Sequence, residues 1–189
     1  LVRHAESPYM EGMERTRGLS EQGRIDAARV KAMLRGERID LFISSPYERA
    51  IQTIRPLAED QEKDIVIVEG LRERVIGTLQ EMSFKEAKQS VYQDFQLKFP
   101  GGESSAEAQA RGVAELIHII EEYNGKSIVI GTHGDIMTLM MNYFDSQYDF
   151  EFWESTSMPD VYRLDFAGKK LDHVARIWDG GAGILGETI

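Results

Sequence analysis

Short apolar runs alternate along this chain with segments of helical period, and that alternation limits the fold more than any other feature. LVRH at the start, DLFIS at 40–44, DIVIVEG at 64–70 and SIVIG at 127–131 read as strands. Helices are predicted between them. Ser20 caps one running to about Arg35, with Ile25, Ala28, Ala32 and Leu34 on its apolar face. Ser45, Pro46, Tyr47 and Glu48 read as a capping box that opens a second helix, to about Glu59. A polar and aromatic helix is expected around Phe84 to Phe95, followed by the turn signal FPGG. Ser104 and Glu107 cap a long helix to Tyr123, and Thr132 caps another to about Phe144. VYRLDF and KLDHVARI close the pattern as two strands about Gly168, a hairpin. Strands that alternate with helices build a mostly parallel sheet covered on both faces.

The chain has 189 residues, enough for one domain over 1–189, with 77–103 as a lid or substrate-facing excursion. Its formal charge of −10 argues against nucleic-acid and anionic-membrane partners, whose phosphates need basic stripes. An anionic substrate would have to be drawn in by a local arginine cluster against that field. The absence of cysteine excludes disulfides, thiolate metal sites and thiol nucleophiles. No run approaches the roughly 20 apolar residues of a membrane span, and no signal-peptide pattern precedes the first strand. A cytoplasmic enzyme is the expectation. The chain opens inside an apolar run without Met, so a few residues upstream of Leu1 are also expected.

Ligands of open α/β sheets bind beyond the carboxyl ends of the strands. Three such ends carry phosphate-gripping residues here: Arg3 and His4 after the first strand, Arg49 in the turn after the second, and His133 after SIVIGT. An imidazole nucleophile beside fixed guanidinium charge suits phosphoryl transfer without a metal. Arg49 and His133 also fall at helix N-termini, which favour an anion. Taken singly, each is an ordinary helix-face charge or a packed histidine. Four of them on one sheet edge form a constellation.

LVRHAES, SSPYERAIQT, LRERVIGTLQE, FPGGES and IGTHGD, in this order, resemble the histidine phosphatase superfamily, the phosphoglycerate mutase-like phosphatases. The resemblance implies a three-layer α/β/α sandwich in which the first-motif histidine, His4, is transiently phosphorylated. It also implies that Arg3, Arg49 and His133 hold the phosphoryl group, and that Glu73 in LRERVIG gives a proton to the leaving group. Glu69, Glu81 and Glu103 are alternative donors. Neighbouring arginines would keep His4 neutral for attack, and a nearby backbone carbonyl is expected to fix its tautomer. Two departures stand out: Ala5 where many members have glycine, and Met10 where asparagine is frequent.

Ser7, Arg17 and Glu103 are further substrate-binding candidates, and Phe84, Tyr92, Phe95 and Trp153 are possible pocket-lining aromatics. His118 reads as a packed helical residue and His173 as a structural one. No cofactor and no metal are expected, and the partner is a small phosphorylated metabolite. The motif residues grip the phosphoryl terminus and leave the rest of the substrate, and the oligomeric state, unspecified. A mutase is the alternative activity, although the modest stretch 74–132 offers little of the insertion family mutases carry. A non-catalytic phospholigand-binding module should have lost a motif residue, and a nucleotide-binding protein should show a glycine-rich phosphate loop; neither sign is present.

Overall fold

The computed structural model describes residues 1–79 and 81–180; the stretch 181–189 of the expected domain, and Gln80 within the expected excursion, lie outside the described residues. Strand β1 (Val2–Arg3) is followed by helix α1 (Glu21–Leu34), β2 (Leu41–Ser44), α2 (Glu48–Asp60) and β3 (Ile65–Ile67). A single 3-10 turn (Glu69–Leu71) then leads to α3 (Phe84–Gln93), α4 (Ser105–Glu122), β4 (Ile128–Thr132) and α5 (Gly134–Phe144). A short α6 (Phe150–Ser155), which has no counterpart in the sequence pattern, precedes the hairpin β5 (Asp160–Ala167) and β6 (Lys170–Arg176).

The six strands lie in the order β3-β2-β4-β1-β5-β6. Four run parallel, and β5 joins antiparallel to β1, so the hairpin extends the sheet at one edge. Successive strand residues serve opposite faces. Phe42, Val129, Val2 and Val161 pack with Val30 and Leu34 of α1 and Ile54 and Leu57 of α2. Ile43 and Ile130 pack with Val113 and Leu116 of α4 and Ile136 and Leu139 of α5. This two-sided burial makes the expected three-layer α/β/α sandwich. Burial of one such side chain contributes about 1.5–3 kcal/mol.

Several boundaries differ from the sequence pattern, each for a local reason. The buried face of α1 is Gly23, Asp26, Ala27, Val30 and Leu34. Ile25, Ala28 and Ala32 lie on the solvent side instead, because Val30 and Leu34 decide the face and alanine fits either side. DIVIVEG shortens to Ile65–Ile67, the length that pairs with Phe42–Ser44. Ser45 does not cap α2, since its backbone still follows the sheet by donating to the Gly131 carbonyl, and the N-cap passes to Tyr47. Thr132 likewise stays in the sheet opposite Arg3, and His133 takes the N-cap position of α5. His118 is solvent-exposed and paired with Glu122 rather than packed, because α4 turns its apolar stripe to the sheet. His173 sits exposed on β6. The cap expected at Ser104 and Glu107 is formed as a capping box, and a second box, Ser83 with Glu86, opens α3. Among the described residues no helix is long and apolar enough to cross a membrane.

A Cβ on Gly23 would collide with the Glu6 carbonyl oxygen, which lies against the first turn of α1. Gly23→Ala therefore destabilises by about 1–3 kcal/mol through overpacking, although alanine is favoured by about 1 kcal/mol in a free helix. A urea melt checks the sign. A raised midpoint would show that α1 is not seated on that carbonyl.

Candidate active site

Register brings the three strand ends together. Arg3 lies opposite Thr132 and Ser44 opposite Gly131. The next residues, His4 and Ser45, continue these ladders through bonds to the Thr132 and Gly131 carbonyls, both at 2.9 Å. His4, Ser45 and His133 thus emerge side by side from neighbouring parallel strands.

The His4 ring is buried, and its Nδ1 lies 2.8 Å from the Ala5 carbonyl oxygen. A carbonyl only accepts, so Nδ1 carries the ring proton and Nε2 keeps its lone pair. This is the backbone partner expected from the sequence. Burial, followed by the charge of Arg49 and then of Arg3 and Arg17, holds His4 well below the usual imidazole range, against the opposing bond to Ala5. Thr53 of the second motif fixes the backbone here: its hydroxyl accepts the Ala5 N–H at 2.9 Å and donates to the Arg49 carbonyl at 2.7 Å.

Three guanidinium groups surround the histidines. Arg3 donates through Nη1 to the carbonyl and hydroxyl of Thr156. Its flat face rests on Gly134, where a Cβ would lie only 2.7 Å from Arg3 Cζ. A side chain at 134 would therefore displace the Arg3 guanidinium from this position. Arg49, only 2 % exposed, donates to the Glu14 carbonyl at 2.6 Å and lies over the Tyr47 ring, 4.8 Å from its centroid. Arg17 is anchored by the Ser7 carbonyl at 2.8 Å and hydroxyl at 2.7 Å, and Ser7 in turn donates to the Gly18 carbonyl. Burial lowers the pKa of both Arg3 and Arg49, while Glu73 opposes the effect in each. The Nε atoms of Arg3 and Arg49 are buried with no hydrogen-bond partner among the described residues.

His133 stands with its ring centroid 5.3 Å from that of His4 and 5.0 Å from that of Tyr47. Its Nε2 lies 2.7 Å from Ser45 Oγ, and its buried Nδ1 has no partner among the described residues. Burial, then His4 and the three arginines, holds this ring too well below the imidazole range.

Glu73 meets the first turn of α5. Its Oε1 accepts the N–H groups of Ile136 and Arg74 at 2.9 and 3.0 Å, and its Oε2 accepts that of Asp135 at 3.1 Å. The helix N-terminus expected to hold a substrate anion is thus occupied by this carboxylate. The other glutamates lie elsewhere. Glu103 is clamped by Arg111 and Arg72, Glu69 pairs with Arg15, and Glu81 is exposed.

A buried ionic network behind Glu73 gave no signal in the sequence beyond the Asp of GTHGD. Asp135 accepts from Arg74 Nε at 2.6 Å, from Tyr92 Oη at 2.8 Å and from Lys88 Nζ. Burial pushes Asp135 up, but Lys88 and Arg74 outweigh it and hold the carboxyl below the usual range. Lys88 also lies between the rings of Phe84 and Trp153, and Phe150 stacks on Trp153. Of the aromatics singled out in the sequence, Phe84, Tyr92 and Trp153 thus join α3 to α6 beside the site, while Phe95 packs toward the core on the α4 side.

His4 and His133 are neutral when folded and ordinary imidazoles when unfolded, so below the unfolded value of 6.5 the unfolded chain binds more protons. Their contribution to stability is complete above that pH and declines as pH falls below it. Thermal melts between pH 7.5 and 5 should show a loss that is smaller in His133→Gln. An equal loss in both proteins would place the histidine protonation elsewhere.

Residues 1–176 match the model of the histidine phosphatase superfamily, branch 1. A phosphoserine phosphatase of Hydrogenobacter thermophilus is 27% identical over 146 residues, which cover 70% of this chain and 69% of that protein. A phosphoglycerate mutase-like protein of Arabidopsis thaliana is 29% identical over 153 residues, 72% of this chain and 66% of that one. The structure of a phosphoserine phosphatase mutant from Entamoeba histolytica in complex with phosphoserine superposes with a TM-score of 0.72 at 20% identity, over 93% of this chain and 92% of that one. The likeness in structure carries the fold and the family model carries the membership: this chain belongs to the histidine phosphatase superfamily, branch 1.

Proposed function

We propose that this protein is a phosphoric monoester hydrolase that acts on small phosphorylated metabolites through a phosphohistidine on His4. The observation that carries the reading is the state of His4: Nδ1 tied to the Ala5 carbonyl, Nε2 with its lone pair, and Arg3, Arg17, Arg49 and His133 close enough to act on its charge. The phosphatase names of relatives that match this chain are in keeping with it.

In the first step the Nε2 lone pair attacks phosphorus and the P–O ester bond breaks. Negative charge on the equatorial oxygens falls to Arg3, Arg49 and His133, whose buried N–H groups supply fixed donors without reorganisation. The leaving oxygen takes its proton from Glu73, and Oε2 is the atom suited to carry it, because it receives one backbone N–H where Oε1 receives two. In the second step Glu73 accepts a proton from water, hydroxide adds to phosphorus and the P–N bond breaks. Inorganic phosphate leaves and both groups are restored. On the leaving-group side α3 presents exposed Phe84, while its Lys88 is anchored to Asp135.

Hydrolysis of p-nitrophenyl phosphate with chelator present should be abolished by His4→Ala. Glu73→Gln should lower kcat by about 10²–10⁴-fold. Rapid acid-free quenching of the wild type should trap an acid-labile phosphoenzyme that His4→Ala lacks. Activity that survives His4→Ala, or that needs the chelated metal, overturns the reading. Incubation with 3-phosphoglycerate separates the two activities of the family, since a hydrolase gives free phosphate and no 2-phosphoglycerate.

A further inference from the structure

Ser45 sits where the sequence suggests a helix cap, yet its hydroxyl is used elsewhere. The residue is fully buried, and its Oγ lies 2.7 Å from His133 Nε2. The same oxygen accepts the Tyr47 N–H at 3.3 Å. A serine hydroxyl has one proton to give and two lone pairs to receive with. Tyr47 takes one lone pair, and no acceptor other than His133 bonds this hydroxyl among the described residues. The hydroxyl proton is therefore directed to Nε2.

An Nε2 that accepts leaves the proton of a neutral imidazole on Nδ1. That nitrogen is buried beside the His4 ring, with no partner among the described residues. We propose that Ser45 is a positioning residue that fixes His133 as the Nδ1–H tautomer, so that the ring presents a hydrogen-bond donor to the phosphoryl oxygens. The opposite tautomer would donate to Ser45 and turn a lone pair toward those oxygens, replacing an attraction by a repulsion. Neutrality of the ring follows from its burial and the surrounding positive charge, which leave a single proton to be placed. The identity of the anion rests on the phosphatase reading, but the direction of the Ser45–His133 bond does not.

The test reads the tautomer first. Long-range proton–nitrogen NMR correlations on the full chain labelled with ¹⁵N-histidine, with His133 assigned by loss of its signals in His133→Gln, report which nitrogen is protonated. Protonated Nδ1 and bare Nε2 are expected in the wild type; the reverse overturns the inference and leaves the phosphatase reading untouched. Ser45→Ala should mix the tautomers, weaken inorganic phosphate binding and lower kcat about 10–100-fold, by analogy with the loss of a partner that orients a metal-bound histidine. KM should change less. Ser45→Thr, which keeps the hydroxyl, should restore the wild-type tautomer. An unchanged tautomer and unchanged phosphate affinity in Ser45→Ala overturn the proposal. A wild type that binds phosphate with the expected tautomer but hydrolyses no ester would instead overturn the phosphatase reading.

Discussion

Positive charge that water barely reaches organises one edge of this sheet. Arg49 is 2 % exposed, Arg3 is mostly buried, and Arg17 stands close enough to act on both histidines. Burial of an ion costs several kcal/mol after relaxation unless the surroundings compensate. Compensation here is partial: the carbonyls of Glu14, Thr156 and Ser7 accept from the guanidinium groups, the Glu14 carboxylate lies 3.4 Å from Arg49 and 3.3 Å from Arg17, and Glu73 and Asp160 act from farther away. The Nε atoms of Arg3 and Arg49 still lack a hydrogen-bond acceptor among the described residues. The same field keeps His4 and His133 neutral, so one electrostatic arrangement favours an arriving dianion and preserves the nucleophile that would meet it.

The arrangement holds because backbone hydrogen bonds tie it to the fold. Thr53 links α2 to the Ala5 N–H, and Ala5 in turn holds the His4 ring. Glu73 is seated by three main-chain N–H groups, two of them from the start of α5. That helix start is itself pinned by Asp135, whose carboxylate gathers Arg74, Lys88 and Tyr92. α3, in the least regular part of the sequence, thus shares an anchor with Glu73.

The sheet, its covering helices and the gathering of Arg3, His4, Arg49 and His133 at one sheet edge were legible because each depended on local pattern: apolar runs for the strands, and polar residues at their carboxyl ends. That a backbone carbonyl would fix the His4 ring was expected, but which one, Ala5, is seen only in the fold. Ser45 and Thr132 were misread as caps for one reason. Capping signals describe an isolated helix, whereas parallel pairing with Gly131 and Arg3 kept both residues in the sheet. The face of α1 was missed where alanines outnumbered decisive residues. Lys88 could not be found at all, since a lysine in a polar helix looks solvated until the fold brings Asp135 against it.

Strand β1 bonds to β4 on one side and β5 on the other, so Val2 meets Gly131 and Val161. Strand β1 therefore finds its partners only after β4 and β5 have been made. Closing contacts of such sequence separation is slow, because loop entropy is lost before pairing repays it. Until then α1, α2 and β2 are at hand, and of these α2 reaches the first motif through Thr53, whose hydroxyl accepts the Ala5 N–H. Pairing of this central strand with β4 and β5 completes the sheet, and the same pairing sets His4 beside Ser45 and His133.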